Sequence, residues 1–197
     1  LGEVLIECIG GTWGTGDDPN GVGVLRPNNI GQDGTIVWRD VRWRRVLPSQ
    51  LKKRKLQDGD IILTKSNSLE QIGRAALFED PDDGRIYVPS NFLQLLRPDR
   101  SSIFPKYLHY VLRSRQYVSF VQKVAVCSSA SLKNLSARML KEFAFPLPPL
   151  PEQRRIVAYL DQIQSQVTAF KRAQEATETE LHRLEQAILD KAFRGEL

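Results

Sequence analysis

Nine basic side chains crowd between Arg26 and Lys55: Arg26, Arg39, Arg42, Arg44, Arg45, Lys52, Lys53, Arg54 and Lys55. Only Asp33 and Asp40 oppose them in that stretch. Guanidinium and ammonium groups at this density suit phosphates, because each neutralised phosphate releases bound counterions. The formal net charge of +5 is unevenly placed. Residues 1–150 carry 21 Lys/Arg against 15 Asp/Glu, whereas residues 151–197 carry 7 against 8. The basic excess therefore belongs to the first three quarters of the chain, and a merely solvated basic face is the plainer alternative.

Catalytic constellations do not assemble from this sequence. Gly10-Gly-Thr-Trp-Gly-Thr-Gly16 lacks the lysine and the following helix of a phosphate-binding loop. Pro148-Pro149 follows Leu147 and not the Asn or Asp that would hold an amino group for methylation. Pro81-Asp82 could open a nuclease motif, but no lysine has an acid two places before it. His109 and His182 stand alone, without zinc-ligand spacing. His109 is expected to pack inside a helix and His182 to lie on a helix surface. Cys8 and Cys127 form no redox or metal pair, which points to a reducing, cytoplasmic setting. A hydrolase using Cys127 or the carboxylates Asp80, Asp82 and Asp83 is the one enzymatic alternative.

The composition bounds what must carry these residues. At 197 residues, 41% hydrophobic and 26% charged, the chain can bury a core and is not a disordered tail. No apolar run is long enough for a bilayer. Strand-like runs fall at 4–9, 35–38, 42–46, 61–64, 75–78, 85–88, 92–96 and 142–147. The Gly- and Asp-rich segment 10–21 holds too many turn residues for regular structure. One helix is expected from Pro105 through Val124, burying Leu108, Val111, Leu112, Tyr117, Phe120, Val121 and Val124. Trp38 and Trp43 are expected in strands and in the core. Strands and helices mix without alternating, so the expected class is α+β: a mixed-sheet domain over 1–150 with packed helices, then one long helix over 151–197.

That helix carries a heptad seam. Ile156, Leu160, Ile163, Val167, Phe170, Gln174, Thr177, Leu181, Leu184 and Ile188 follow steps of four and three without a slip. A 3.5-residue repeat keeps one stripe facing a partner helix. From Ile156 to Ile188 the seam would span about 50 Å. An antiparallel pair would set Ile156 against Ile188, Leu160 against Leu184 and Ile163 against Leu181. A parallel pair would stack Gln174 on Gln174 and Thr177 on Thr177. The heptads permit both. Pro146, Pro148, Pro149 and Pro151 stiffen the joint before the helix.

Three segments resemble one family. They are Leu56-Gln-Asp-Gly-Asp-Ile-Ile-Leu-Thr-Lys-Ser-Asn-Ser with Ile72-Gly-Arg-Ala-Ala; Ser128-Ser-Ala-Ser-Leu-Lys-Asn-Leu-Ser before Phe143-Ala-Phe-Pro-Leu-Pro-Pro-Leu; and Pro146-Leu-Pro-Pro-Leu-Pro-Glu-Gln-Arg-Arg-Ile, ending near Ala192-Phe-Arg-Gly-Glu-Leu. Together they look like one half of a type I restriction–modification specificity subunit. The resemblance implies a DNA target recognition domain at 1–150 and a spacer helix at 151–197. It implies no catalysis and no cofactor in this chain, and S-adenosylmethionine in a partner methyltransferase (M) subunit. Expected partners are double-stranded DNA, M subunits and restriction (R) subunits, with no membrane. Complete members carry two units whose spacer helices pack antiparallel. A single unit is expected to be a fragment or a half subunit that works as a homodimer through Ile156, Leu160, Ile163, Val167, Phe170, Leu181, Leu184 and Ile188. The other class of function is a coiled-coil oligomerisation or scaffold protein whose basic face is incidental.

On this reading, phosphate contacts come from Arg42, Arg44, Arg45, Lys52, Lys53, Arg54 and Lys55. Base reading needs long polar side chains with paired donors and acceptors. The candidates are Lys65, Ser66, Asn67 and Arg74, with Trp13 or Thr15 in the glycine-rich loop. Arg74 suits a structural ion pair equally well. Ser128, Ser129 and Ser131 suit DNA contact or the capping of a following helix.

Overall fold

The computed structural model describes residues 1–68, 70–126 and 133–195. The chain divides into two compact units, Leu1–Arg154 and Arg155–Leu197. A 3-10 turn at Gly2–Val4 leads into β1 (Leu5–Gly10), β2 (Gly16–Leu25), β3 (Arg42–Arg45), α1 (Pro48–Arg54), β4 (Ile61–Thr64), β5 (Ser66–Asn67) and β6 (Ala75–Leu77). Then come β7 (Tyr87–Pro89), β8 (Leu93–Pro98), α2 (Pro105–Val111), α3 (Arg115–Val126), β9 (Lys133–Asn134), α4 (Ala137–Lys141) and α5 (Leu150–Arg194). The class is α+β.

A four-stranded sheet, β1-β8-β4-β6, is antiparallel throughout. Its middle strands explain the unbroken apolar runs. Ile61, Ile62, Leu63 and Thr64 are all buried, as are Leu93, Gln94, Leu95 and Leu96. A second sheet, β3-β2-β7, pairs β2 antiparallel with β3 and parallel with β7. Leu25 and Tyr87 from this sheet meet Ile62, Ala76, Leu93 and Leu95 from the first in one core, with Phe78, Ile30 and Leu56. Arg97 ties the first sheet together. It donates to both Asp60 oxygens at 3.0 and 2.8 Å, just before β4, and to Glu7 Oε2 on β1 at 2.6 Å.

Several elements depart from the sequence reading, each for a physical reason. Residues 16–20 join β2 because the pairing with β3 absorbs their turn residues in an irregularity: Asp17 and Val22 both face Arg44. Residues 35–38 form no strand, only an isolated bridge from Ile30 to Ile36. The fully buried Asn29 takes the place of a partner strand, its amide donating to the carbonyls of Val37 and Arg39 at 2.8 Å each. Trp38 is therefore outside any strand and 39% exposed, whereas Trp43 sits in β3 and packs on the core.

The expected helix after Phe104 is two helices. Ser114 Oγ accepts from Tyr117 N at 3.2 Å and starts α3 afresh, an N-cap hidden within a continuous apolar pattern. Residues 142–147 are not a strand. Their carbonyls go to side chains instead: Gln116 donates to Ala144 O at 3.2 Å and Tyr107 to Pro146 O at 2.9 Å. Helix α1 has no buried residue, so no apolar stripe announced it.

Helix α5 is anchored by its first turn. Gln153 is fully buried; its Oε1 accepts from Phe104 N at 2.7 Å, and its Nε2 donates to Pro148 O at 2.7 Å and Ser102 O at 3.1 Å. In the second unit the large seam residues are open to solvent: Ile163, Val167, Phe170, Leu181, Leu184 and Ile188 are exposed, and Ile156 and Leu160 half-buried. Gly195 closes the helix at φ 72°, the left-handed stop. Among the described residues no helix is long and apolar enough to cross a membrane.

Candidate nucleic-acid interface

One end of the four-stranded sheet gathers the polar candidates. Strand pairing sets Gly10 and Leu63 against Gln94, Thr64 against Leu93, and Leu63 against Ala75. Gly10, Lys65, Arg74 and Phe92 therefore leave the sheet at the same end. Backbone bonds lock them together. Phe92 O accepts from Lys65 N at 3.0 Å and Ser66 N at 3.3 Å, and Arg74 O accepts from Thr64 N at 2.8 Å. The small pair β5–β9 adds Ser66 opposite Asn134. The structure thus brings Lys65, Ser66, Asn67 and Arg74 to one place.

Their side chains differ in what they leave free. Asn67 donates to Gln71 Oε1 at 2.8 Å and accepts from Ser68 N at 2.7 Å. One amide hydrogen and one carbonyl lone pair remain for a ligand. Among the described residues no carboxylate pairs with Arg74, so its guanidinium stays available. Together with Glu70, Arg113 and Tyr117 it lines a cavity of about 380 Å³ between the 31–34 loop and helices α2 and α3.

The glycine-rich loop 10–15 couples this end to the basic run. Gly10 O accepts from Arg54 Nε at 2.8 Å, and Thr12 Oγ1 donates to Gln50 Oε1 at 2.8 Å, which fixes the loop on α1. Thr15 N donates to Arg45 O at 2.8 Å, which fixes it on β3. Gly14 has φ +74°, and a Cβ there would lie 2.5 Å from Arg45 O, so only glycine fits. A Cβ on Gly11 would lie 2.1 Å from Pro89 O, so the loop also presses backbone to backbone on the end of β7.

The basic residues divide by their engagement. Arg42 and Arg45 are exposed on β3, and Lys52, Lys53 and Lys55 are exposed on and after α1. Arg44 is committed. Its Nη1 lies 2.7 Å from Asp17 Oδ1, its side chain is 15% exposed, and its guanidinium covers the Trp13 ring at 4.8 Å. Trp13 is thus partly occupied by that contact, and Arg54 by its bond to Gly10. Sequence reasoning missed Asn91 and Phe92, both exposed beside Lys65. An aromatic residue inside a Pro-Ser-Asn-Phe turn was the available signal.

Two of the carboxylates of the hydrolase alternative, Asp80 and Asp83, are engaged within a turn. Asp80 Oδ1 accepts from Asp82 N at 3.0 Å and Asp83 Oδ1 from Arg85 N at 2.9 Å, while Asp83 Oδ2 accepts from the Tyr87 hydroxyl. Burial, then the Asp83 bond, pushes the Tyr87 phenol up to about 12. These acids shape a turn. His109 is buried, and desolvation lowers it to about 4. Among the described residues no group of three or more His, Cys, Asp or Glu could hold a metal. Cys127, Ser128, Ser129 and Ser131 lie outside the described residues.

Known proteins share both sequence and shape with this chain. Over 189 residues it is 29% identical to the type I restriction enzyme EcoKI specificity subunit of Escherichia coli (strain K12), covering 93% of this chain and 40% of that protein. It is 30% identical over 146 residues to the putative type I restriction enzyme MjaX specificity subunit of Methanocaldococcus jannaschii, covering 73% and 32%. Among solved structures, a chain of a type I R-M system superposes with a TM-score of 0.75 at 34% identity, over 100% of this chain and 45% of that one. The HsdS subunit from Thermoanaerobacter tengcongensis gives 0.62 at 34%, over 100% and 44%. This chain spans less than half the length of each of these relatives. The model of the type I restriction modification DNA specificity domain matches residues 18–179, from β2 well into α5, and the chain belongs to that family.

Proposed function

We propose that this chain is one recognition unit of a type I specificity subunit, reading one part of a split duplex site without catalysing anything itself. The observation that supports this most is the composition of the sheet end. The segments 10–15, 65–68, 89–92 and 133–134 hold two lysines, three asparagines and no carboxylate. They are hydrogen-bonded into one surface next to exposed arginines. A polyanion whose base edges offer donors and acceptors is the ligand such a surface fits. Arg42, Arg45, Lys52, Lys53 and Lys55 contact phosphates, and Lys65, Asn67 and Arg74 read bases. The chemistry on DNA belongs to partner methyltransferase subunits carrying S-adenosylmethionine and to restriction subunits. This chain sets where they act, in the cytoplasm.

Selection of bound duplexes from a randomised pool tests the reading, with the full chain alone and with a cognate methyltransferase subunit. A discrete enriched sequence is expected. In gel shifts, Asn67→Ala or Arg74→Ala should cost roughly 1–3 kcal/mol and relax preference at one base position. Binding that stays sequence-blind in both arms would leave an oligomerisation protein with an incidental basic face.

A further inference from the structure

Phe92 is a large aromatic residue, 42% exposed, on a surface whose segments 65–68 and 133–134 are lysine, serine and asparagine and whose neighbouring loop holds Trp13 under Arg44. Core packing does not account for it: the neighbouring Leu93 is fully buried and fills the core at that point. Nor is the turn loose. Ser90 is fully buried, its amide donates to Leu25 O at 2.7 Å, and its carbonyl accepts from Leu93 N at 2.9 Å. Phe92 O in turn holds the amides of Lys65 and Ser66. The ring is therefore presented by a rigid turn in fixed register with the proposed base-reading side chains.

The chemistry around it selects the partner. Lys65 Nζ reaches Gly10, at 3.0 Å from where a Cβ would stand, and Arg54 Nε is bonded to Gly10 O. A lysine whose amide is bonded to Phe92 O, an arginine held on the neighbouring Gly10, and no carboxylate in the segments that form the surface suit a polyanion with an apolar group near its polar edges. In the major groove of DNA the apolar group is the thymine C5 methyl, which stands beside the acceptors that lysine and asparagine engage.

We infer that Phe92 is a specificity residue that packs on a thymine methyl group in the recognised sequence. This rests on the DNA-reading function proposed above. The methyl is buried only when protein and thymine are both present, so its contribution is separable from phosphate contacts.

Uracil scanning tests it. In the duplex selected with the full chain, each thymine is replaced in turn by uracil, which removes only the methyl. One position should weaken binding by about fourfold, the value of one buried methyl. Phe92→Ala should weaken the thymine duplex by at least as much and abolish the uracil effect at that position alone. Phe92→Leu should retain part of it. Because Phe92 is exposed, the melting temperature should not move, and an unchanged melt with these results supports the assignment. It is overturned by a selected site lacking thymine, by a uracil scan identical for native chain and Phe92→Ala, or by a Phe92→Ala loss equal on all sequences. Failure of the native chain to select any duplex would overturn the recognition function itself, and this assignment with it.

Discussion

Arg44 and Asp17 face each other across β2 and β3 at 2.7 Å, and the same guanidinium covers the ring of Trp13. Its Nε is buried. This arginine of the basic run is therefore a structural clamp between the sheet and the glycine-rich loop, while on either side Arg42 is exposed and Arg45, 72% exposed with a long 4.0 Å contact to Asp18, stays within reach of phosphate. Reversing Arg42 and Arg45 to Glu should weaken DNA binding on every sequence and flatten the salt dependence by about one unit of slope per lost contact. Arg44→Ala should instead lower the melting temperature. Equal effects of the three arginines on salt slope, with no change in melting, would refute this division.

Arg97 is the corresponding clamp of the first sheet. It donates twice to Asp60, which is 2% exposed, and burial raises the Asp60 carboxyl more than these bonds lower it. Removing one partner of such a pair leaves an uncompensated charge, typically costing about 3–5 kcal/mol. Arg97→Ala should thus be severely destabilising in denaturant unfolding. Arg97→Met combined with Asp60→Asn should recover a good part of the loss. A double variant as unstable as the single would mean that lost packing, not the orphaned carboxylate, dominates.

His109 should make stability depend on pH. Its folded value of about 4 lies below the ordinary 6.5, chiefly through burial, with Arg113 and Lys106 pushing the same way. The unfolded chain then takes up a proton that the folded chain refuses. The stabilisation is fully present above pH 6.5 and is lost as pH falls towards 4, at up to ~1.4 kcal/mol per pH unit. His109→Gln should flatten melting temperature against pH in that window. A constant difference between variant and native chain from pH 7 to 5 would show that His109 does not titrate there.

Legibility in the sequence followed the size of each signal. The Ile61–Thr64 run and the Gly195 stop were readable because one local cause fixed each. Asn29 was not: its role in place of a strand partner depends on carbonyls eight and ten residues away. Lys65, Asn67 and Arg74 were readable as polar side chains at strand ends, but their convergence with Gly10 and Phe92 is set by sheet register, a long-range property. Arg44 looked like its neighbours in sequence, and only the offset pairing of β2 with β3 separates it from them.

The seam of α5 leads to the last prediction. Phe170, Leu181 and Leu184 are 74%, 61% and 58% exposed, an arrangement that would forfeit ~1.5–3 kcal/mol per large side chain unless another helix covers it. The polar seam residue Thr177 does not oppose pairing, because its hydroxyl already donates to Ala173 O at 3.0 Å on its own helix. In the antiparallel register Phe170 meets Gln174, and Ile163 meets Leu181. A two-fold pair would carry a recognition unit at each end and favour a split palindrome, with a gap because ~50 Å of helix exceeds one ~34–36 Å turn of DNA. The chain should therefore sediment as a concentration-dependent dimer. Phe170→Asp with Leu181→Asp should yield monomers that keep weak general DNA binding and lose split-site preference. Both residues are exposed in the single chain, so their loss should leave the folded recognition unit intact. A native chain that stays monomeric at every concentration would sink self-pairing and assign the seam to a different helix.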